Sequence, residues 1–311
     1  NVSGTALIGS TFVGGTGNDG NNTAPGLRYN YGDQFRGEVI CDSANNVFVA
    51  STTNSINFPA TPGSFQTVYG GGLQDAVVFK LNQDLSGMAW STYIGGTAAD
   101  AAYGIQLNSA GIPYVSGGTL SNNFPTTPGA LFTNLQGSTD GFLCRLNPTG
   151  SALTASTYMG TPQYDQNYFV QIDMFDDVYV IGQTEGTYPI TPGVYSNPNS
   201  GQYIHKLNSN LSTTKFSTTF GSGLSKLDIS LNAFLVNDCD HIYVSGWGGS
   251  INSLNGGPPQ SSTNGLSTTV GSYKPTTDGS DFYLMVLDTN ASQLLYATFF
   301  GGPGQEHVDG G

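Results

Sequence analysis

The sequence predicts an all-β fold assembled from repeated four-stranded antiparallel units, on three observations. The stretch "STYIGG" at 91–96 recurs as "STFVGG" (10–15), "STYMGT" (156–161), "STTFGS" (217–222) and "ATFFGG" (297–302). Seventeen Tyr and 17 Phe are spread evenly among 44 glycines, and only 9% of residues are charged, the composition of short strands and tight turns. No stretch of a dozen residues keeps apolar positions at helical spacing, so almost no helix is expected.

The other markers keep step with the first. "VFVAS" (47–51), "PYVSG" (113–117), "VYVIG" (178–182) and "IYVSG" (242–246) recur every 64–66 residues. "FPATPGSF" (58–65) returns at 124–131 and 188–195, and "VVFKLN" (77–82) at 142–147, 203–208 and 283–288. In the second unit the strands read "YGIQL" (103–107), "IPYVSG" (112–117), "GFLCRL" (141–146) and "ALTASTYMG" (152–160). Short turns at 108–111 and 147–150 join the first pair and the last pair. Asp42, Asn108, Asp173 and Asn237 each stand six residues before the aromatic of the second strand, where an Asx side chain closes a hairpin on its own backbone. A four-stranded unit cannot bury both its faces, so it packs on copies of itself as a blade of a β-propeller. "STYIGG" is then a blade's fourth strand with the glycine turn to the next blade, the glycines supplying φ > 0 for a sharp crossing. Residues 1–15 read as the last strand of a preceding blade, 16–96, 97–161, 162–222 and 223–302 as blades, and 303–311 as the start of another. About four and a half blades are visible, in what reads as part of a longer polypeptide.

The formal net charge is −13 with only 8 Lys and Arg, so the basic footprint of a nucleic-acid binder is missing. No run of 18 apolar residues suggests a membrane span. Cys41, Cys144 and Cys239 fall at unrelated positions of the repeat and read as unpaired fillers or an exposed thiol. His205, His241 and His307 share no repeat position and no ligand spacing.

"GGTGND" (14–19), "NVFVAS" (46–51), "NFPATPGSFQ" (57–66) and "DAVVFKLN" (75–82) closely resemble, in order, the bacterial seven-bladed β-propeller repeat family (SBBP-type repeats). The resemblance covers essentially the whole chain, except that "TTVGSY" (268–273) replaces the Pro-Gly motif in the fourth unit. "HIYVSGWGG" and "FFGGPGQEHVDGG" look like large type IX-secreted, gliding-motility-associated surface proteins of Bacteroidota. The resemblance implies an extracellular, cell-surface location and no catalytic residues. The partners it implies are other domains of the same polypeptide, and surface polysaccharide or protein.

Strand direction puts the four-residue turns on one face. The other face receives the proline-rich loops, the crossing at 16–33 and an insertion at 248–278, and long loops on one rim are where binding usually sits. Trp247, opening onto that insertion, and the loop tyrosines Tyr29, Tyr31 and Tyr273 are the candidate ligand-binding residues. Asp19, Asp33, Asp100, Asp165 and Asp228, with Glu306, recur near the blade crossings. They are calcium candidates by number of carboxylates, or caps of the crossing turns. No nucleophile elbow, phosphate loop or Asp-box appears. The expected function is a non-catalytic scaffold or adhesion module, with a carbohydrate-binding module and a propeller hydrolase or lyase as alternatives. No cofactor beyond calcium is suggested.

Overall fold

The computed structural model describes residues 5–254 and 260–308. Among them, sixteen strands form four separate sheets, each of four consecutive antiparallel strands. Blade one holds β1 (Glu38–Cys41), β2 (Val47–Thr53), β3 (Asp75–Leu81) and β4 (Met88–Ile94). Blade two holds β5 (Asp100–Leu107), β6 (Pro113–Thr119), β7 (Asp140–Leu146) and β8 (Leu153–Met159). Blade three holds β9 (Asp165–Ile172), β10 (Val178–Thr184), β11 (Gln202–Leu207) and β12 (Thr214–Phe220). Blade four holds β13 (Ser230–Val236), β14 (Ile242–Trp247), β15 (Phe282–Leu287) and β16 (Leu294–Phe300). Helical structure is limited to α1 (Ser250–Leu254) and two single 3-10 turns, Pro25–Leu27 and Asp33–Phe35, among the described residues. β1 packs on β5, β5 on β9 and β9 on β13, so the first strands of successive blades lie side by side as in a β-propeller.

The hairpins follow from Asx chemistry. Asp42, Asn108, Asp173 and Asn237 each accept the backbone N–H two and four residues on, at 2.8–3.1 Å. The third turn position is left-handed in all four: Asn45, Gly111, Asp176 and Asp240 have φ of 60–73°. Of the crossing glycines, Gly221 has the expected positive φ, at 144°. Gly95 and Gly160 do not have positive φ. Their lack of a side chain makes room for buried carboxylates, since a Cβ on Gly95 would begin 2.7 Å from Asp75 Oδ1 and 2.8 Å from Asp100 Oδ2.

Equivalent positions pack equivalently until the last blade. Val78, Leu143 and Ile204 are wholly buried against the following blade, whereas Leu284 is 40% exposed. Ile94, Met159 and Phe220 are likewise buried, whereas Phe300 is 56% exposed. The outer face of blade four is thus an open apolar surface of the kind that blades one to three cover. Residues 5–15 form no strand; Val13 packs on the Phe58, Val77, Phe79 and Tyr93 cluster, and Leu7, Ile8 and Phe12 are exposed. Residues 1–4 and 309–311 of the expected terminal units lie outside the described residues.

Candidate functional site

The proline-rich loops leave the second strand on the expected rim but do not stay there. Each folds back along its own blade's fourth strand. Thr61, Thr127, Thr191 and Thr269 donate their amides to the carbonyls of Ser91, Ser156, Ser217 and Ala297 at 2.9–3.1 Å. "TTVGSY" therefore takes the same path as the Pro-Gly motif it replaces. In three blades the threonine after that serine or alanine then receives the returning loop: Thr92, Thr157 and Thr298 Oγ1 accept the Gln66, Phe132 and Lys274 amides, each at 2.9 Å, while Thr218 Oγ1 donates to Tyr195 O.

The loop ends on the next blade. The amide of Phe65 donates to Gly150 O at 2.8 Å, that of Leu131 to Leu211 O at 3.0 Å, and that of Tyr195 to Ala291 O at 2.6 Å. Gly150, Leu211 and Ala291 are the left-handed residues of the turns between third and fourth strands, with φ of 53–65°. A backbone clip thus joins every consecutive pair of blades at the end opposite the rim, which corrects the placement of these loops on one face.

The crossing before β1 also turns inward. Leu27 is fully buried, packed with Ala99, Ala101, Tyr103 and Tyr168. Its carbonyl accepts from Asn22 Nδ2 (2.8 Å), Tyr103 OH (2.8 Å) and Gln166 Nε2 (3.2 Å). Asp33 accepts the amides of Tyr29 (2.9 Å) and Asn30 (2.7 Å) and the Tyr168 hydroxyl (3.1 Å), and pairs with Arg36 at 3.2 Å. Burial pushes the Asp33 carboxyl up, against the pull of Arg36 and those donors. Arg36 lies 4.5 Å from the Tyr168 ring centroid and donates to Leu231 O in blade four at 3.1 Å. The segment thus ties blades two, three and four together instead of offering a free loop.

The four ligand-binding candidates come apart in the structure. Trp247 is 1% exposed, edge-on to Tyr31 at 5.8 Å and beside His307 at 5.9 Å, so it presents no face on which a sugar ring could stack. Tyr31 is half-buried and donates its amide to Asn252 Oδ1 at 2.7 Å. Tyr29 stacks on Tyr164 at 4.2 Å and hydrogen-bonds Glu185; burial and that carboxylate push its phenol up. Tyr273 is 76% exposed, near Phe300 on the open face of blade four. Residues 255–259 of the insertion lie outside the described residues.

The calcium candidates are turn caps. Asp19 accepts the Gly15 amide (2.8 Å), Asp100 that of Gly96 (2.8 Å), Asp165 that of Thr161 (2.6 Å), Asp228 that of Ser222 (2.7 Å) and Glu306 that of Gly302 (2.9 Å). Among the described residues, no three His, Cys, Asp or Glu side chains converge as a metal site. The three cysteines are free. His205 is buried between the Tyr188 hydroxyl (2.9 Å) and Thr214 Oγ1 (2.8 Å), and burial pushes its pKa down to about 3. Sequence reasoning missed Asp75, Asp140 and Asp281, all wholly buried. Their signal was an Asp opening the third strand in three of four units.

Among the described residues no helix is long and apolar enough to cross a membrane. No protein-family model matches the chain, and no curated protein matches it. The fold and its joints define an all-β repeat protein of propeller-type blades.

Proposed function

We propose that this chain is a non-catalytic structural region of a secreted or cell-surface protein, a stiff scaffold that spaces or displays other parts of the same polypeptide. The observation that carries this reading is the backbone clip, repeated at all three blade junctions. The clip holds the proline loops down and the crossing at 19–36 turns inward, so neither is free to close over a small ligand. Stiffness follows from each blade being held twice, by apolar packing near the inner strands and by the clip at the outer edge. A surface of few charges, rich in Ser, Thr, Asn and Gly, suits a spacer outside the cell. The resemblance to SBBP-type repeats supports the same reading, with Bacteroidota, type IX secretion and gliding-motility proteins as its proposed setting.

Protease shaving of intact source cells, followed by intact-mass measurement of the native polypeptide, tests the proposal. The scaffold reading expects release of peptides from this region without lysis, and a parent polypeptide several times heavier than 32.5 kDa. Recovery only from the lysed cell fraction would overturn it.

A further inference from the structure

Each crossing between blades brings two acidic positions together. One opens the third strand of a blade, the other opens or precedes the first strand of the next, and the glycine that ends the fourth strand lies between them. Asp75 and Asp100 face each other across Gly95 in this way, both wholly buried. At the second crossing a Cβ on Gly160 would begin 2.6 Å from Asp140 Oδ1, and Asp165 Oδ2 accepts the amide of the next residue, Thr161, at 2.6 Å, again both acids wholly buried. Two buried carboxylates this close cannot both be ionised without a compensating charge.

The last two crossings supply that compensation. At the third, Gly201 stands where the acid would be, and Lys226 Nζ lies 3.3 Å from the remaining Asp228. At the fourth, both acids are present, Asp281 and Glu306 beside Gly301, and Lys274 Nζ reaches Asp281 Oδ1 at 2.5 Å and Gly301 O at 3.0 Å. The positions matching Lys274, which bond the same threonine of the fourth strand, are Gln66 and Phe132 in blades one and two. Among the described residues, none of Asp75, Asp100, Asp140 and Asp165 makes an ion pair.

We infer that the Asp75–Asp100 and Asp140–Asp165 pairs each hold one shared proton, which does at the first two crossings what a lysine does at the last two. A proton fits better than a metal ion because the oxygens are already engaged. Asp100 Oδ2 accepts from Gly96 N and Ser121 Oγ, its Oδ1 accepts from Thr119, and Asp75 Oδ2 accepts from Gly70 N. Asp75 Oδ1 has no donor within hydrogen-bond geometry, nor has Asp165 Oδ1 at the second crossing, although the Gly71 amide and the Thr184 hydroxyl lie near enough to pull the two carboxyls down. One open oxygen per pair suits one proton; calcium wants six to eight oxygens. The other titratable groups facing the first pair are the phenols of Tyr69, Tyr93 and Tyr158, with Asp19 beyond Tyr93; those facing the second are Tyr158, Tyr188 and Tyr203. All of these are neutral or anionic. Burial, with the partner's charge adding to it, pushes Asp75 and Asp165 up to about 7, and burial pushes Asp100 and Asp140 up to about 6.

Carboxyls raised in the folded state contribute stability that is full below the unfolded carboxylate range and is lost as pH climbs through about 6 to 7. The chain should therefore hold its blades most tightly under mildly acidic conditions.

The test is the melting temperature of the full chain between pH 5 and 9, for the wild type and for Asp75→Asn with Asp140→Asn. The wild type is expected to lose roughly 5 °C or more across that range, and the double variant to lose less than half as much and to melt higher at pH 9. An unchanged pH slope in the variant would overturn the inference. Gln66→Lys imports the blade-four solution into the first crossing and is expected to raise the melting point selectively at high pH, which keeps the test decisive if the double variant does not fold. Carbon-13 NMR of aspartate carboxyls supplies a direct readout: two or more resonances titrating together above pH 6 support the shared proton, and their absence overturns it. If calcium chloride at pH 8 restores the wild type but not the variant, the pairs are cation sites and the proton reading fails.

Discussion

Asn108 shows how much of this fold rests on single side chains. Its Oδ1 accepts two turn amides, from Ala110 at 3.1 Å and Ile112 at 2.9 Å. Asn108→Ala removes these and the Nδ2 bond to Asp176 Oδ2 at 3.0 Å, and should lower stability by about 1–3 kcal/mol, read as a shifted urea midpoint at unchanged slope. Ala291 makes the opposite case. It carries φ of 53° at a position where blade two has Gly150, so Ala291→Gly should leave stability unchanged or raise it by up to about 1 kcal/mol. The Asx positions were legible in the sequence because their bonds are local, two and four residues away. Trp247 was not, because its burial is set by Tyr31 and His307, which are remote in sequence. The carboxyl pairs were half legible: the acid before the first strand recurs visibly, while its partner in the third strand belongs to a different sheet.

At the scale of elements, the same repeat position sits in two environments, and this gives a paired prediction. Met159 is wholly buried between blades two and three, and Phe300 is 56% exposed at the matching place in blade four. Met159→Ala should cost about 2–5 kcal/mol through the cavity it leaves, whereas Phe300→Ala should cost less than about 1 kcal/mol; chemical denaturation of the two variants compares them directly. The clip is testable too. Phe65→Pro removes the amide that reaches Gly150 and should expose the loop at 58–66 to limited proteolysis while the strands stay protected. Strands and hairpins could be read from the sequence because a period of two and a turn signature suffice for them. The return of the proline loops along the fourth strand could not, since backbone bonds to Ser91, Ser156, Ser217 and Ala297 set that path. Nor could the inward turn of residues 19–36, a polar, glycine-containing segment whose groups are satisfied by partners remote in sequence, from Thr52 and Gln74 in blade one to Leu231 in blade four.

At the scale of the whole molecule, the chain is an array in which each blade is coupled to the next by apolar packing, a carboxyl-lined crossing and a backbone clip. Repeat proteins whose interfaces are weak unfold piecemeal, and those whose interfaces are strong unfold together. The net charge of −13 adds a repulsion that protonation relieves, in the same direction as the buried carboxyl pairs, so stability and cohesion should both peak on the acidic side of neutrality. Differential scanning calorimetry of the chain at pH 6 tests the coupling most directly. Coupled blades melt in one transition whose calorimetric and van't Hoff enthalpies agree; two or more resolved transitions, with blades melting separately, would contradict the coupling.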